Sequence, residues 1–468
     1  MWVAVPALTV LVLGYRHRFM SDDGLIVTRS VREILAGNGP VLSPGLRVET
    51  STSTAWQWLL AVAAWLTHID AAALAVYGGL LLTTAGVALA VRGTQRLHRM
   101  EPSSSDAPLL LPAGVLILLG LRPVWDFATS GLETGLETFW IGTAWWILNA
   151  GEPTTRRRGL FFAFVLGAGP LVRPDLAVVA GIFLVVRWVR RTPPRRILAA
   201  QLGAAAVLPV GYEIFRMGYY GLLVPTTAVA KESGATFWER GRLYLLDFVV
   251  PFRLWLVLPV ALALVALVVV RRRREGRDLT VVAAPVAAAA VATIFVVRVG
   301  GDWMQARMLL PPLLLLLLPV LVVPVERRHR LDRAIAVGAV AVAVWAALLG
   351  SGLLPAGAQN PIVGTELRRN IQALTGRAHP LTGRDFTNVP PGYPAAVDRY
   401  SGRPVLLVFS PLFGDDRLYP TPVRTGRAGP VFVAGYLGAA GAAVPVDDTL
   451  IDQLSLGYPV GAHLQLQR

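Results

Sequence analysis

The chain has 468 residues, 54% of them apolar and 16% charged, well under the roughly 25% charged residues of a soluble chain. The apolar residues lie in long blocks, which places the chain among membrane proteins and excludes an ordinary soluble enzyme. Its net charge is +15, almost all from arginines at the ends of those blocks, so the basicity reads as a topology signal and not as a nucleic-acid surface.

Met1 to Leu13 is apolar without the basic start and small-residue exit of a cleaved leader, and reads as a first span. With residues 1–16, spans are expected near 71–91, 107–121, 132–150, 159–172, 175–189, 197–213, 254–270, 279–297, 309–325 and 334–350, eleven in all. The segments 92–99, 156–158, 187–196, 271–277 and 326–333 hold 20 arginines and read as cytoplasmic. The loops around Trp125, Pro174, Tyr220 and Asp302 then face outward. Residues 54–69 would spoil this parity if they crossed. They are expected to lie at the outer face without crossing, with Trp56, Trp58 and Trp65 in the headgroup zone.

The expected fold is therefore an all-α polytopic membrane protein with a cytoplasmic N-terminus and a first outer loop over residues 20–70. A membrane domain covers 1–350 and an outward C-terminal domain covers 351–468. Residues 355–400 are rich in Gly, Pro and Arg, and strand-like runs follow at Val405–Phe409 and Val431–Ala434, giving a small α/β or irregular domain. No internal repeat marks the paired halves of a transporter.

Two adjacent carboxylates, Asp22 and Asp23, sit just where the chain leaves the first span. One of them can cap the following helix, but a cap needs a single acid, which leaves the second to be solvated, paired or used in chemistry. Transfer of a sugar from a lipid phosphate needs a carboxylate at the anomeric carbon or the attacking hydroxyl. It also needs cations or amides for the departing phosphate. Candidate phosphate ligands on the same side are Arg173, in Gly169–Asp175, and Arg298 and Arg307, which flank Gly300–Met304. A charge this near lipid is costly unless paired or functional. Each arginine also has a plain reading: Arg173 paired with Asp175, the other two snorkelling from a loop. Glu133, Asp175, Asp302 and Glu49 are candidates for substrate contact, Glu133 and Glu137 being also favourable simply as helix-start acids. The loop 215–251, with Tyr219, Tyr220, Lys231, Glu232, Trp238 and Arg240, reads as an interfacial anchor. The absence of cysteine excludes thiol nucleophiles, disulfides and thiolate metal sites. The six histidines are scattered, which disfavours zinc, while a divalent cation held by acids, phosphate and water stays open. There is no P-loop.

In their order these motifs resemble the GT-C superfamily of membrane glycosyltransferases, and within it the actinobacterial terminal arabinofuranosyltransferases of the cell wall. The matching pieces are Asp22-Asp23 with Ile26, Gly37-Asn38-Gly39, Pro44 to Glu49, Thr129 to Thr134, Arg173 to Asp175, Gly300 to Met304, and Asp452 to Leu456. The chain departs from the pattern at Gly24-Leu25, where the group has Ala-Tyr, and at Thr50-Ser51-Thr52, where it has a Gly-Tyr-Thr type run. Both departures bear on acceptor specificity, and members of the group usually continue past the last motif. The resemblance implies an enzyme in the plasma membrane with an extracytoplasmic active site. The donor would be decaprenyl-phosphate arabinofuranose or a similar lipid-linked sugar, and the acceptor an arabinan-type glycan. Asp22 and Asp23 would be the catalytic carboxylates, and Arg173 and Arg307, with Arg298, would take the donor phosphate. A β-linkage made from a β-donor would need net retention, with an acid as nucleophile or by another route.

Two other classes stay open. A lipid or sugar transporter would show charges in mid-span and broken helices in matching halves, whereas the charges here lie mainly at span ends. A non-catalytic envelope scaffold would have no ordered pocket beside Asp22.

Overall fold

The computed structural model describes residues 2–98, 109–151, 155–230, 235–325, 330–351, 367–386, 392–400, 402–409, 418–422, 430–435, 437–453 and 456–457. The chain opens with α1 (Ala4–Arg16), α2 (Asp22–Leu35), α3 (Thr54–Thr67) and α4 (Ala71–Leu97), then β1 (Leu109–Leu111), α5 (Ala113–Gly120), α6 (Arg122–Phe127) and α7 (Thr134–Leu148). Next come α8 (Arg156–Gly167), α9 (Gly169–Val172), α10 (Leu176–Arg191) and α11 (Arg195–Tyr220), followed by α12 (Thr226–Ala230), α13 (Trp238–Val249), α14 (Leu254–Arg274), α15 (Thr280–Arg298) and α16 (Leu310–Leu317).

Helices α4 and α7 form the spine. Their backbones touch because glycines recur every seven residues along both: Gly79, Gly86 and Gly93 on α4, Gly135 and Gly142 on α7. A Cβ on Gly86 would sit 2.6 Å from the Thr138 carbonyl, and Cβ atoms on Gly135 and Gly142 would run into the carbonyls of Gly79 and Gly86. Side chains this small are how apolar helices associate when lipid supplies no hydrophobic drive.

The helices have two chemically different ends. At one, arginines take the carbonyls that helix C-termini leave unsatisfied. Arg187 donates to Ile147 O at 3.2 Å, Arg190 to Leu148 O at 3.0 Å, Arg191 to Ala150 O at 2.7 Å and Arg272 to Leu97 O at 2.9 Å. A two-stranded antiparallel sheet of β1 and β2 (Val323–Val325) lies near this end. At the other end converge the start of α2, the α6–α7 junction, the Arg173 turn and the Gly300–Arg307 loop.

Among the described residues five helices are long and apolar enough to cross a membrane: Ala71–Leu97, Arg195–Tyr220, Leu254–Arg274, Thr280–Arg298 and Arg333–Gly350 within α17 (Arg330–Gly350). The other six of the eleven expected spans fall on shorter or interrupted elements. Residues 107–121, for instance, divide into β1 and the eight-residue α5, and residues 309–325 into α16, a 3-10 turn and β2. The expected loop at 215–251 is largely helical, since α11 runs on to Tyr220 and α13 begins at Trp238; Lys231 and Glu232 lie outside the described residues. Helix α3 keeps to the site end. Trp56 Nε1 donates to Gly131 O at 3.0 Å, and the helix leads through His68 directly into the start of α4.

The C-terminal part holds α18 (Leu367–Thr375), α19 (Tyr393–Tyr400) and a four-stranded mixed sheet. Its strands are β3 (Val405–Phe409), β4 (Leu418–Pro422), β5 (Val431–Ala434) and β6 (Thr449–Asp452), in the order β4-β3-β5-β6. Both strand-like runs seen in the sequence are strands. β5 and β6 pair in parallel, so the chain must cross over between them, and it does so through α20 (Leu437–Ala443). Leu407, Phe432, Leu437 and Leu450 form a small core that also takes in Ile26 of α2 and Leu42 of the first loop.

Candidate active site

Helix α2 starts at the acid pair because Ser21 caps it. Ser21 Oγ accepts from the Gly24 amide at 3.0 Å and donates to Ser130 O at 2.7 Å, while the Ser21 amide reaches the same carbonyl at 2.9 Å. The capping role expected of Asp22 or Asp23 therefore belongs to Ser21. The two acids occupy the first turn, where the helix dipole favours negative charge.

Successive residues on a helix point about 100° apart, so the two acids diverge. Asp22 turns to α20, accepting from Ala439 N at 2.8 Å and Gly438 N at 3.2 Å. Burial first, and the neighbouring Asp23 charge after it, push its carboxyl up to about 7 from an ordinary 3.8, against the pull of those two amides. Asp23 turns to Arg307, with 3.9 Å between Oδ2 and Nη1.

Arg307 is the centre of a dense ionic cluster. It donates to Asp302 Oδ2 at 3.0 Å and to Glu133 Oε1 at 2.9 Å. Glu133 Oε1 also accepts from Arg173 at 3.0 Å, and Arg173 holds Asp175 at 2.9 Å and lies 3.6 Å from Glu137. Among the described residues two guanidiniums thus sit within five carboxylates, and the paired arrangement is what makes such burial tolerable. The acids are not equally open. The Asp23 side chain is 25% exposed, that of Glu133 only 3%.

Backbone geometry fixes the cluster. Gly300 and Gly301 both have positive φ, 86° and 72°, which lets the chain turn sharply and pass against the Tyr244 ring. Tyr244 Oη donates to Met304 O at 2.9 Å and accepts from Met308 N at 3.1 Å, bracketing Arg307. Beneath the cluster opens an apolar cleft with Val87, Leu118, Ile141 and Leu314 on its walls and Glu137 and Arg307 as its charged members. Arg307 Nε is buried and, among the described residues, has no hydrogen-bond acceptor. A buried N–H without a partner is costly, so a site that keeps one has a donor ready for an incoming acceptor. No three His, Asp or Glu side chains among the described residues are grouped to hold a metal ion by themselves.

No family model and no solved structure matches the chain. It is 35% identical, over 99% of its length and 82% of the relative's, to a terminal β-(1→2)-arabinofuranosyltransferase of Mycobacterium tuberculosis. A protein of the same name from Corynebacterium glutamicum is 41% identical over 67% of this chain and 49% of that relative. The chain belongs to the terminal arabinofuranosyltransferase family. It is accordingly a membrane glycosyltransferase by descent.

Of the residues that the sequence offered for this arabinofuranosyltransferase family site, the structure brings Asp23, Glu133, Arg173, Asp175, Asp302 and Arg307 together. It sets three apart. Arg298 is exposed and forms no ion pair among the described residues, and only its carbonyl is engaged, by Phe237 N at 2.8 Å. Glu49 belongs to a second cluster, accepting from Arg216 and from Tyr212 Oη, both at 2.7 Å, where it ties α11 to the first loop. Asp22 faces the C-terminal unit. Sequence reasoning missed Tyr244, Tyr212 and Arg216, which carry no motif of their own. It also read Ser130 only as part of a motif, whereas its carbonyl is the anchor for α2. In the late motif the buried Asp452 accepts from the amides of Leu456 and Gly457, while Leu454 and Ser455 lie outside the described residues.

Proposed function

We propose that this chain transfers an arabinofuranosyl residue from a polyprenyl-phosphate donor, of the decaprenyl type, to an arabinan-type glycan at the outer face of the plasma membrane, on a GT-C-like scaffold. The observation that carries this reading is Asp23, the most open of the three acids around Arg307, held 3.9 Å from that guanidinium at the head of an apolar cleft. The walls of the cleft are apolar like the first prenyl units, which it takes up only by widening. Arg307, through Nε, and Arg173 suit the phosphate, whose negative charge grows as the anomeric bond breaks. Asp23 is left to serve the anomeric centre. As a base it takes the proton of the acceptor hydroxyl in a single displacement, which inverts. As a nucleophile it forms a glycosyl ester that the hydroxyl then displaces, which retains. The relatives' names specify β-linked products, and the anomer formed from a β-donor distinguishes the two routes. The arginines capping helices at the far end support an outward-facing site, because such residues stay on the cytoplasmic side.

The test is transfer by the purified chain in lipid vesicles, from polyprenyl-phosphate arabinofuranose to an arabinan oligosaccharide. Product is expected from the wild-type chain, with a loss of about 10²–10⁴-fold for Asp23→Asn. Full activity of Asp23→Asn removes the acid from the reaction, and no product from the folded wild-type chain overturns the reading.

A further inference from the structure

The C-terminal unit meets the acid-bearing helix end to end. α2 and α20 lie parallel, and α2 matches the polarity of α20 at both its ends. At the start of α20, Asp22 takes the amides of Gly438 and Ala439. At its end, the buried Arg29 donates to Gly441 O at 3.2 Å, to Val444 O, and to Pro445 O at 2.9 Å, and Arg32 donates to Gly441 O at 3.1 Å. The spacing fits. Asp22 and Arg29 are seven residues apart, about 10.5 Å at 1.5 Å per residue, and α20 is seven residues long. Gly438 and Gly441 allow the approach, since a Cβ at Gly438 would run into the Asp22 carbonyl. Ser43 adds a further tie, donating to Leu450 O at 3.0 Å and accepting from Leu450 N at 2.9 Å.

The Ser21–Ser130 contact pins the tip of α2, and Leu25, Val27 and Val31 seat the helix on the main core, while the face that bears Asp22 and Arg29 meets α20. We infer that α20 is a positioning element of the transfer site: gripping α2 at Asp22 and again at Arg29 and Arg32, it fixes the roll that presents Asp23 to Arg307 and holds Asp22 away. Asp22 and Arg29 are then positioning residues, and the C-terminal unit is part of the catalytic machinery. This rests on the transferase reading above.

The chain has no cysteine, so the grip can be cut and remade within one polypeptide. In Arg29→Cys/Gly441→Cys the two Cβ atoms would lie 3.5 Å apart, inside the range of about 3.5–4.5 Å for a disulfide. In the vesicle assay the reduced form is expected to lose about 100-fold in kcat with the donor KM unchanged, as for a misplaced reacting group. Oxidation is expected to restore most of the loss. Equal kcat in the two states, with the thiols shown to be consumed, overturns the inference.

Because Arg29→Cys also strands Glu33, a second pair of variants leaves that buried couple intact. Asp22→Asn is expected to stay within about tenfold of wild type through kcat, while Asp23→Asn loses about 10²–10⁴-fold. Asp22→Asn as the weaker of the two overturns the assignment. Wild-type transfer with neither effect sinks this inference alone; absence of wild-type transfer sinks the transferase reading with it.

Discussion

Arg173 and Arg307 meet on one oxygen. Glu133 Oε1 accepts from both, at 3.0 and 2.9 Å, so two cations brought from distant parts of the chain are held at a fixed separation by a single carboxylate. Each also keeps a private acid, Asp175 for Arg173 and Asp302 for Arg307. A guanidinium spans two carboxylates at a fixed separation because its donors form a rigid fork; an ammonium is a compact charge without that fixed geometry.

Lysine at position 307 therefore keeps the charge and loses the geometry. Arg307→Lys is expected to reduce kcat by about 100-fold, measured in the vesicle assay. Glu133→Gln is expected to destabilise the protein by about 3–5 kcal/mol, as when one partner of a buried ion pair is removed. Thermal unfolding of the detergent-solubilised protein measures this.

The joint between α4 and α7 has no room for a larger residue. Gly142→Leu places a side chain against the backbone at Gly86, and overpacking of this kind costs about 1–3 kcal/mol or more. The expected outcome is a lower unfolding temperature and a lower yield of folded protein, while Gly181→Leu, on an open position, leaves both unchanged.

Protonation of Asp22 links stability to pH. Its carboxyl is raised to about 7 from 3.8, chiefly by burial. A raised value means that the folded state holds the proton more tightly than the unfolded chain. The contribution is then full below the ordinary carboxylate range and is lost as the pH rises through about 7. Between pH 5.5 and 8.5 the melting temperature of the wild type is expected to fall relative to that of Asp22→Asn. A difference that stays flat, or grows with pH, removes this linkage.

Sidedness can be read directly in a chain without cysteines. Glu239 is exposed near the site end, beside Arg240, which donates to Gly300 O at 3.0 Å, and Arg274 is exposed at the arginine end. Glu239→Cys is expected to react with an impermeant maleimide added outside intact cells, and Arg274→Cys only after lysis. The opposite pattern would put the candidate site in the cytoplasm and end the outward-facing proposal.

Much of the site was legible because its residues are charges beside apolar blocks, where polarity is costly and so carries information. Arg173, Arg307, Glu133 and Asp302 stand out on that ground alone. Which of the two acids faces the ionic cluster was not legible, since the partner of Asp22 is α20, more than 400 positions away in the chain. The partners of Glu49 were not legible either: Arg216 lies beyond the expected end of its span at 213, on a helix that runs on to Tyr220, and Tyr212 within that span carries no motif. Six of the eleven expected spans fall on shorter or interrupted elements, and apolar runs such as 107–121 and 309–325 satisfy a hydropathy window while the chain breaks within them. Prolines at positions 112, 311, 312 and 319, each lacking an amide donor, show where a continuous helix is opposed.

The glycine joint of α4 and α7 has a mechanical meaning. Two main chains pressed together have no rotamers to exchange, so the joint has a single setting and acts as a stator. Any movement that admits a substrate or releases a product is then expected in parts hung from this pair, with Glu133 and Glu137, at the head of α7, held at one depth.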